Sequence, residues 1–444
     1  MDGDGSVGLA VGERVLAEML QAAQRSPPIQ LADLVMTHAR RLGVRRVVVY
    51  LSDLQEMVLV PLPSNADADI DDAVDMRDQG AGATVREPPG MVRIEGTVAG
   101  LAYRKLTAVT AEEGEAAGVL TGADVPVRHR VWLPLLGGAG RLGVLELSLE
   151  HLDEQVLQRC HLLAKIVALL VVSRGIYSDA FDQLRRREPM RLSAEMVWAF
   201  MPRQTYATED VVVSAAAEPA YRLGGDAFDF SSIGPLVHLS LFDAAGHDLV
   251  AGLVAAVGLA SCRNTRRAGR GLADIAMLAD GAIREHSSDW RFMTGLLANL
   301  DTATGRLEWV NCGHPPPLLI RKNKVIKELA RNPDPPMGLL EGVRPHVHHE
   351  ALEPGDRLLC YTDGVIEART ADGDLFGVDR LADTIIRTTA AGMSTPEALR
   401  RLVHGLLEHG GSLTDDATVL LAEWRPVTPG QSTLQTLPTA APSL

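Results

Sequence analysis

Four aspartates, each placed at the end of a strand-like run or at a tight bend, constrain this chain more than any other feature. Residues 239–242 (LSLF) form an apolar run that brings Asp243 to its C-terminal end. A turn of small residues, Ala244, Ala245, Gly246, His247 and Asp248, leads from it into a helix-like stretch at 249–259. Asp226 follows the double glycine Gly224–Gly225, Asp363 follows the run LLCYT and precedes Gly364, and Asp415 with Asp416 stands just before the apolar run 419–424. A lone aspartate in such a setting is more often a turn residue than a ligand. Four of them without a matching surplus of nearby Lys or Arg would repel one another unless cations sat among them. Hard oxygen donors select Mg2+ or Mn2+ rather than zinc. Two such ions about 3.5–4 Å apart can lower the pKa of a shared water and clamp a phosphoryl group for in-line attack.

Length and charge limit the remaining possibilities. The chain has 444 residues, more than one ordinary core accommodates, so two domains with a connector are expected. Acidic residues outnumber basic ones, 57 to 43, for a net charge of -14, which argues against a general nucleic-acid or anionic-membrane surface. The four cysteines, Cys160, Cys262, Cys312 and Cys360, are far apart and form no CxxC pair, so unpaired thiols in a reducing compartment are expected and a zinc site is not. The acidic, Gly-rich start has no signal-peptide character. The apolar run 166–172 falls short of the roughly 20 residues that span a bilayer, so it predicts a buried helix. A cytoplasmic protein with neither nucleic-acid nor membrane partners is the expectation.

The N-terminal half alternates helix and strand signals. Helical periodicity at 12–24 and 29–42 precedes a β-branched strand at 45–51 and a second strand at 57–61. The acidic stretch 67–78 begins like a calcium loop. However, Asp72 stands where the turn glycine belongs and Asp78 replaces the closing Glu, so a solvated loop is expected. A short helix at 96–103 and a hairpin of 130–136 with 141–147 complete the pattern. Entry helix, strand pair, GxxAG-like helix and a closing "LPL…G…GVLEL" hairpin resemble a GAF domain over about residues 27–177. That resemblance implies a six-stranded sheet flanked by helices, serving as a small-molecule sensor or a dimerisation unit with an unidentified ligand.

From 152 to 190 almost every position reads helical, with a break expected at Pro189. Arg185, Arg186 and Arg187 predict a solvated helix face. Such a connector between a sensor-like domain and a second domain predicts a homodimer through the GAF-like domain and the linker helix.

The C-terminal motifs "GGDAFDF", "FDAAGHDLVAG", "WVNCGHPPPLLI", "YTDGVIEART…LFG" and "DDATVLL" occur in the order seen in metal-dependent PPM (PP2C-type) Ser/Thr phosphatases, and they look most like the SpoIIE/RsbU branch. The resemblance spans roughly 188–426 and implies an αββα sandwich, so the whole chain is classed as α+β. It implies two Mn2+ or Mg2+ ions bridged by Asp243 with help from the Ala244 carbonyl, with Asp226 beside the first ion and Asp363 and Asp415 on the second. Asp416 is an alternative to Asp415. His247 is a candidate general acid or a structural turn residue, His314 a turn residue near the site, and Arg222 a candidate phosphate contact. His346 and His348, read as one strand face, are weak candidates for a separate metal site. The family usually has Gly where this chain has Asp248, which is expected to cap the following helix. Ala227 and Cys312 also depart from the family pattern, as packing changes.

These readings divide the chain into a mobile start with helix (1–26), a GAF-like sensor (27–177), a helical linker or switch (178–200), a phosphatase domain (201–426) and a disordered tail (427–444). The expected activity is hydrolysis of phosphoserine or phosphothreonine on a protein, with no phosphoenzyme. The SpoIIE/RsbU resemblance implies a phosphorylated STAS-type anti-sigma-factor antagonist as substrate, with the GAF-like domain gating activity. The competing readings are a phosphatase-like module that binds without turnover and a GAF-based small-ligand sensor.

Overall fold

The computed structural model describes residues 4–64, 90–112, 128–138, 140–286, 291–370, 372–409, 413 and 415–426. The acidic stretch 67–78 and the tail 427–444 lie outside the described residues. The chain divides into two compact units, with the boundary between Glu188 and Pro189.

The first unit runs α1 (Asp4–Ala23), α2 (Leu31–Ala39), β1 (Val44–Ser52), β2 (Val58–Pro61), β3 (Val92–Arg93), α3 (Val98–Lys105), β4 (Val109–Glu112), β5 (His129–Gly137), β6 (Gly140–Leu149), α4 (Glu154–Gly175) and α5 (Ala180–Arg185). Its strands form one six-stranded antiparallel sheet in the order β3-β2-β1-β6-β5-β4. Alternation along β1, β5 and β6 gives this sheet two apolar faces. One packs under α1, α2 and α4 through Val49, Leu133, Leu145, Val35 and Val167. The other packs under α3 through Tyr50, Tyr103, Trp132 and Val144. Thr97 caps α3 by accepting from the Gly100 N–H at 3.1 Å, and Asp153 caps α4 by accepting from the Val156 N–H at 2.8 Å.

The apolar segment of α4 is longer than the run 166–172 suggested. It is the one helix among the described residues long and apolar enough, by length and composition, to cross a membrane. Its Leu163, Ile166, Val167, Leu170 and Val171 are nonetheless buried in the unit's own core. Helix does not continue through 178–200: α5 ends at Arg185, and Pro189 lies in the gap before α6 (Leu192–Phe200). Phe181 of α5 is buried in the first unit's core, whereas Ala194 and Val197 of α6 belong to the core of the second.

The second unit continues with β7 (Thr205–Ala207), β8 (Val211–Glu218), β9 (Asp226–Ile233), β10 (Leu236–Ala244), α7 (Leu249–Arg267), α8 (Leu272–His286), β11 (Met293–Asp301), β12 (Arg306–Cys312), β13 (Leu318–Arg321), β14 (Lys324–Glu328), β15 (His348–Ala351), β16 (Arg357–Tyr361), α9 (Asp363–Glu367), α10 (Gly377–Ala390), α11 (Thr395–His409) and β17 (Ala417–Trp424). Two antiparallel sheets result, ordered β15-β12-β11-β10-β9 and β14-β13-β16-β17-β8-β7. Val213, Leu358, Leu420 and Trp424 of one share a core with Phe228, Leu241, Leu297 and Trp309 of the other, so the sheets face each other. Helices α7 and α8 extend that core, while α10 and α11 cover the outer face of the six-stranded sheet through Leu381, Ile385, Leu399 and Leu402. The unit is therefore a four-layer helix–sheet–sheet–helix sandwich.

The five-stranded sheet buries polar groups that are fully partnered. Asp229 receives Arg263 at 2.6 Å and Arg266 at 2.7 Å from α7, and His238 meets Asn299 at 2.9 Å. Burial pushes the His238 imidazole down from 6.5 to about 4, and that of His314 down to about 3. A histidine held neutral in the fold but protonated in the unfolded chain contributes stability above its unfolded pKa, and loses it as pH falls. Acid unfolding of the metal-free protein should therefore steepen below about pH 6.5, by about 1.4 kcal/mol per pH unit for each such histidine, until about pH 4 for His238. Replacing His238→Asn should flatten that slope in denaturant melts between pH 6.5 and 4.

Candidate metal centre

The β-ladder brings the first two candidate carboxylates together. In the β9–β10 register Asp226 is the direct partner of Asp243. Directly opposed side chains on one sheet face lie about 5 Å apart at Cβ, and like charges in that position are destabilising. The double glycine explains how the bend before Asp226 fits. A Cβ on Gly225 would collide with the Ala244 carbonyl oxygen, and one on Gly224 would stand 2.6 Å from the His247 Cα. The Ala244 N–H in turn donates to the Gly225 carbonyl at 3.1 Å. The GGD bend and the turn after Asp243 are thus packed backbone to backbone.

The second sheet supplies the rest at the same edge. β16 ends at Tyr361, and Asp363 opens α9, while Asp415 and Asp416 precede the neighbouring β17. A Cβ on Gly364 would occupy the space of the Asp416 carbonyl, so the DG dipeptide reflects this close crossing. Two side chains tie the sheets together here. Thr362 Oγ1 donates to Asp226 Oδ2 at 2.7 Å. Asp416 Oδ2 accepts from the Gly224 and Gly225 N–H groups at 2.7 Å each and from the Asp226 N–H at 3.3 Å.

Burial is graded across the cluster. Asp226 and Asp416 are buried, Asp243 is half-buried, and Asp363 and Asp415 are exposed. Loss of solvation, then the neighbouring charges of Asp363, Asp415 and Asp416, lifts the Asp243 carboxyl to about 7. Desolvation followed by Asp243 and Asp416 drives Asp226 well above the usual carboxylate range, and desolvation followed by Asp415 raises Asp363. Asp416 is raised chiefly by burial, against the lowering effect of its three backbone N–H donors. No Lys or Arg ion pair to any of the five occurs among the described residues. The donor set is all oxygen, it lacks a counter-charge, and glycines clear room around its backbone carbonyl. These properties fit hard divalent cations. Among the described residues no three His, Cys, Asp or Glu groups already converge on one ion-sized point, so side chains would close onto an ion as it binds.

Other candidates fall differently. His247 is exposed, with its backbone against Gly224, and Arg222 is exposed two residues ahead of the glycine pair. His314 is buried, contacts Thr294 Oγ1 at 2.9 Å, and is locked to Asn311, whose Oδ1 accepts the His314 N–H at 2.7 Å. Asp248 caps α7 by accepting from the Ala251 N–H at 2.9 Å. The His346/His348 pairing on one strand face does not occur. β15 begins only at His348, His346 is held by Asp334 at 2.8 Å, and His348 lies against the Trp309 ring at 4.6 Å. Sequence reasoning missed Thr362, the hydroxyl on Asp226, and Arg291, which binds Asp248 at 2.8 Å. The one available signal for Arg291 was an aspartate standing where a glycine is usual.

Residues 235–425 match the family described as Stage II sporulation protein E (SpoIIE). By that match this stretch is similar to a SpoIIE-type phosphatase domain. The SpoIIE match begins at β10, so Asp243, Asp363 and Asp415 fall inside it, while Asp226 lies just ahead. Protein IcfG of Synechocystis sp. is 26% identical over 151 residues, which cover 34% of this chain and 23% of IcfG. Among solved structures, the RsbU and RsbW domains of a Mycobacterium tuberculosis protein align with 26% identity and a TM-score of 0.41, over 49% of this chain and 62% of that one. The SiaA-PP2C domain of Pseudomonas aeruginosa aligns with 20% identity and a TM-score of 0.44, over 57% and 99%. The chain thus spans under a quarter of IcfG and less than two thirds of the mycobacterial chain.

Asp416→Ala removes the acceptor of three backbone N–H groups. It should cost about 3 kcal/mol, a fall of about 6–12 °C in Tm, whereas Asp416→Asn, which keeps an oxygen acceptor, should cost less than half of that. Thermal melts of the two variants in metal-free buffer check this.

Proposed function

We propose that this protein hydrolyses phosphoserine or phosphothreonine on a partner protein with two bound Mn2+ or Mg2+ ions. The observation that carries the reading is the cross-strand pairing of Asp226 with Asp243 at a sheet edge that also receives Asp363 and Asp415, with no cationic side chain among them. Asp243 and the Ala244 carbonyl would lie between the two ions, Asp226 beside the first, and Asp363 and Asp415 on the second. Engagement of Asp416 Oδ2 by three backbone N–H groups supports Asp415 over Asp416 as the ligand. When bound, such ions supply a water of lowered pKa and neutralise charge building on a phosphoryl group. The chain's own part is to hold five carboxylates, graded from buried to exposed, and to pack the Ala244 carbonyl against Gly225. His247, exposed in the turn after Asp243, would protonate a leaving alkoxide, and exposed Arg222 would contact phosphate.

The SpoIIE match, together with the RsbU-like motifs, supports a phosphorylated STAS-type anti-sigma-factor antagonist as substrate. The six-stranded first unit supports a GAF-like sensor over about 27–177 that gates residues 201–426 through the segment 178–200. Leu162 and Leu169, seven residues apart on α4 and 43% and 65% exposed, with Ile176 at its C-cap 70% exposed, support a homodimer along that helix. A cytoplasmic location fits a chain whose most apolar helix is half committed to a core.

The test pairs stability with turnover. Adding Mn2+ at about 100 times its Kd should stabilise the protein by about 2.7 kcal/mol for each ion site filled. Asp243→Asn should raise the Tm of the metal-free protein by relieving carboxylate repulsion, abolish the Mn2+-induced rise, and lower kcat on a phosphopeptide by roughly a hundredfold or more. An Asp243→Asn variant that keeps wild-type turnover contradicts the reading.

A further inference from the structure

Arg291 does not belong to the carboxylate cluster, yet it is fastened to the turn that carries Asp243. Its Nη1 donates to the Ala245 carbonyl at 2.8 Å, and its Nη2 to Asp248 Oδ2 at 2.8 Å. Asp248 uses its other oxygen, Oδ1, to cap α7 through the Ala251 N–H at 2.9 Å. The backbone beside Arg291 joins the same turn, since the Ala245 N–H donates to the Phe292 carbonyl at 3.0 Å and Ala244 is the ladder partner of Met293. Gly246, at φ 100°, makes the approach possible: a Cβ there would stand 2.6 Å from Arg291 Nη1. The turn 244–248 is thus held at both ends, by β10 and by α7, and braced across its middle by one guanidinium.

Two physical points decide what this brace does. Asp248 places a further negative charge a few residues from an acidic cluster, and the Arg291 charge offsets it locally. The ion pair is half-exposed, with side chains 28% and 50% accessible, so its direct contribution to folding is small. Residues that orient metal ligands without touching the metal act on a different scale, commonly 10–100-fold in metal affinity. A contact that is weak for stability and one residue removed from a ligand carbonyl therefore has its leverage in geometry.

We propose that Arg291 is a positioning residue for the metal-binding turn, its guanidinium fixed by Asp248 and in turn fixing the Ala245 carbonyl and the adjoining Asp243–Ala244 donors. This role of the Asp248–Arg291 clasp is built on the two-ion reading above.

Calorimetric titration of the full-length protein with Mn2+ tests it, using wild type, Arg291→Gln, Arg291→Lys, Asp248→Asn and the double variant Asp248→Asn/Arg291→Gln. Arg291→Gln should weaken Mn2+ binding roughly tenfold or more. Arg291→Lys should recover part of that loss, and the double variant should be no weaker than Arg291→Gln alone, because the two side chains act as one unit. With Mn2+ saturating, the KM for a phosphopeptide should stay at its wild-type value, and the metal-free Tm should move by less than about 4 °C. Wild-type Mn2+ affinity in Arg291→Gln overturns the clasp alone. So does a raised KM at unchanged Mn2+ affinity, which would make Arg291 a substrate contact. A wild-type protein that binds no Mn2+ overturns the two-ion reading and the clasp with it.

Discussion

The register that sets Asp226 opposite Asp243 is the constraint on which the second unit depends. Two carboxylates facing each other across a ladder cost stability in a metal-free protein, and the structure surrounds them with devices that tolerate this cost rather than remove it. Thr362 donates to Asp226, Asp416 is occupied by backbone N–H groups, and both contacts cross between the two sheets. The polar groups that hold the sandwich together at this edge are therefore the same ones that position the carboxylates. Burial first, and the neighbouring charges of Asp363, Asp415 and Asp416 second, lift the Asp243 carboxyl to about 7 when no cation is present.

Much of this was legible in the sequence because it is written in short-range chemistry. The strand ends at Asp243 and Asp363, the GGD bend and the DG dipeptide follow from local steric rules, and the structure adds the reason for each glycine: a carbonyl or a Cα lies where its Cβ would be. The two-sheet sandwich was reached through motif resemblance, since alternation in β8 to β17 reveals strands without revealing which sheet each joins. The partners that were not legible are those that depend on long-range placement. Thr362 reaches Asp226 across 136 positions, and Arg291 reaches Asp248 across 43. The His346/His348 face was misread for a related reason. Alternation holds only inside a strand, and β15 starts two residues later, after Asp334 has captured His346.

The first unit shows the same division. Most of its helices and four of its six strands could be read from periodicity, and the hairpin β5–β6 from its glycine turn, but the short β3 and β4 were not read and the run 166–172 understated α4. Core residues and exposed residues share that helix: Leu163, Val167 and Leu170 are buried in the core while Leu162 and Leu169, and Ile176 just past its end, are exposed. Counting only the uninterrupted apolar run hides a second stripe at seven-residue spacing. Pro189 ended the helical signal where the structure also changes from one compact unit to the next.

The most direct test of the account is the nuclearity of the bound metal. Low-temperature electron paramagnetic resonance of the protein loaded with two equivalents of Mn2+ should show an exchange-coupled pair, and Asp243→Asn should replace it with the six-line spectrum of isolated ions. A wild-type spectrum of isolated Mn2+ alone, or one that Asp243→Asn leaves unchanged, would contradict the claim that Asp243 joins two ions at the sheet edge.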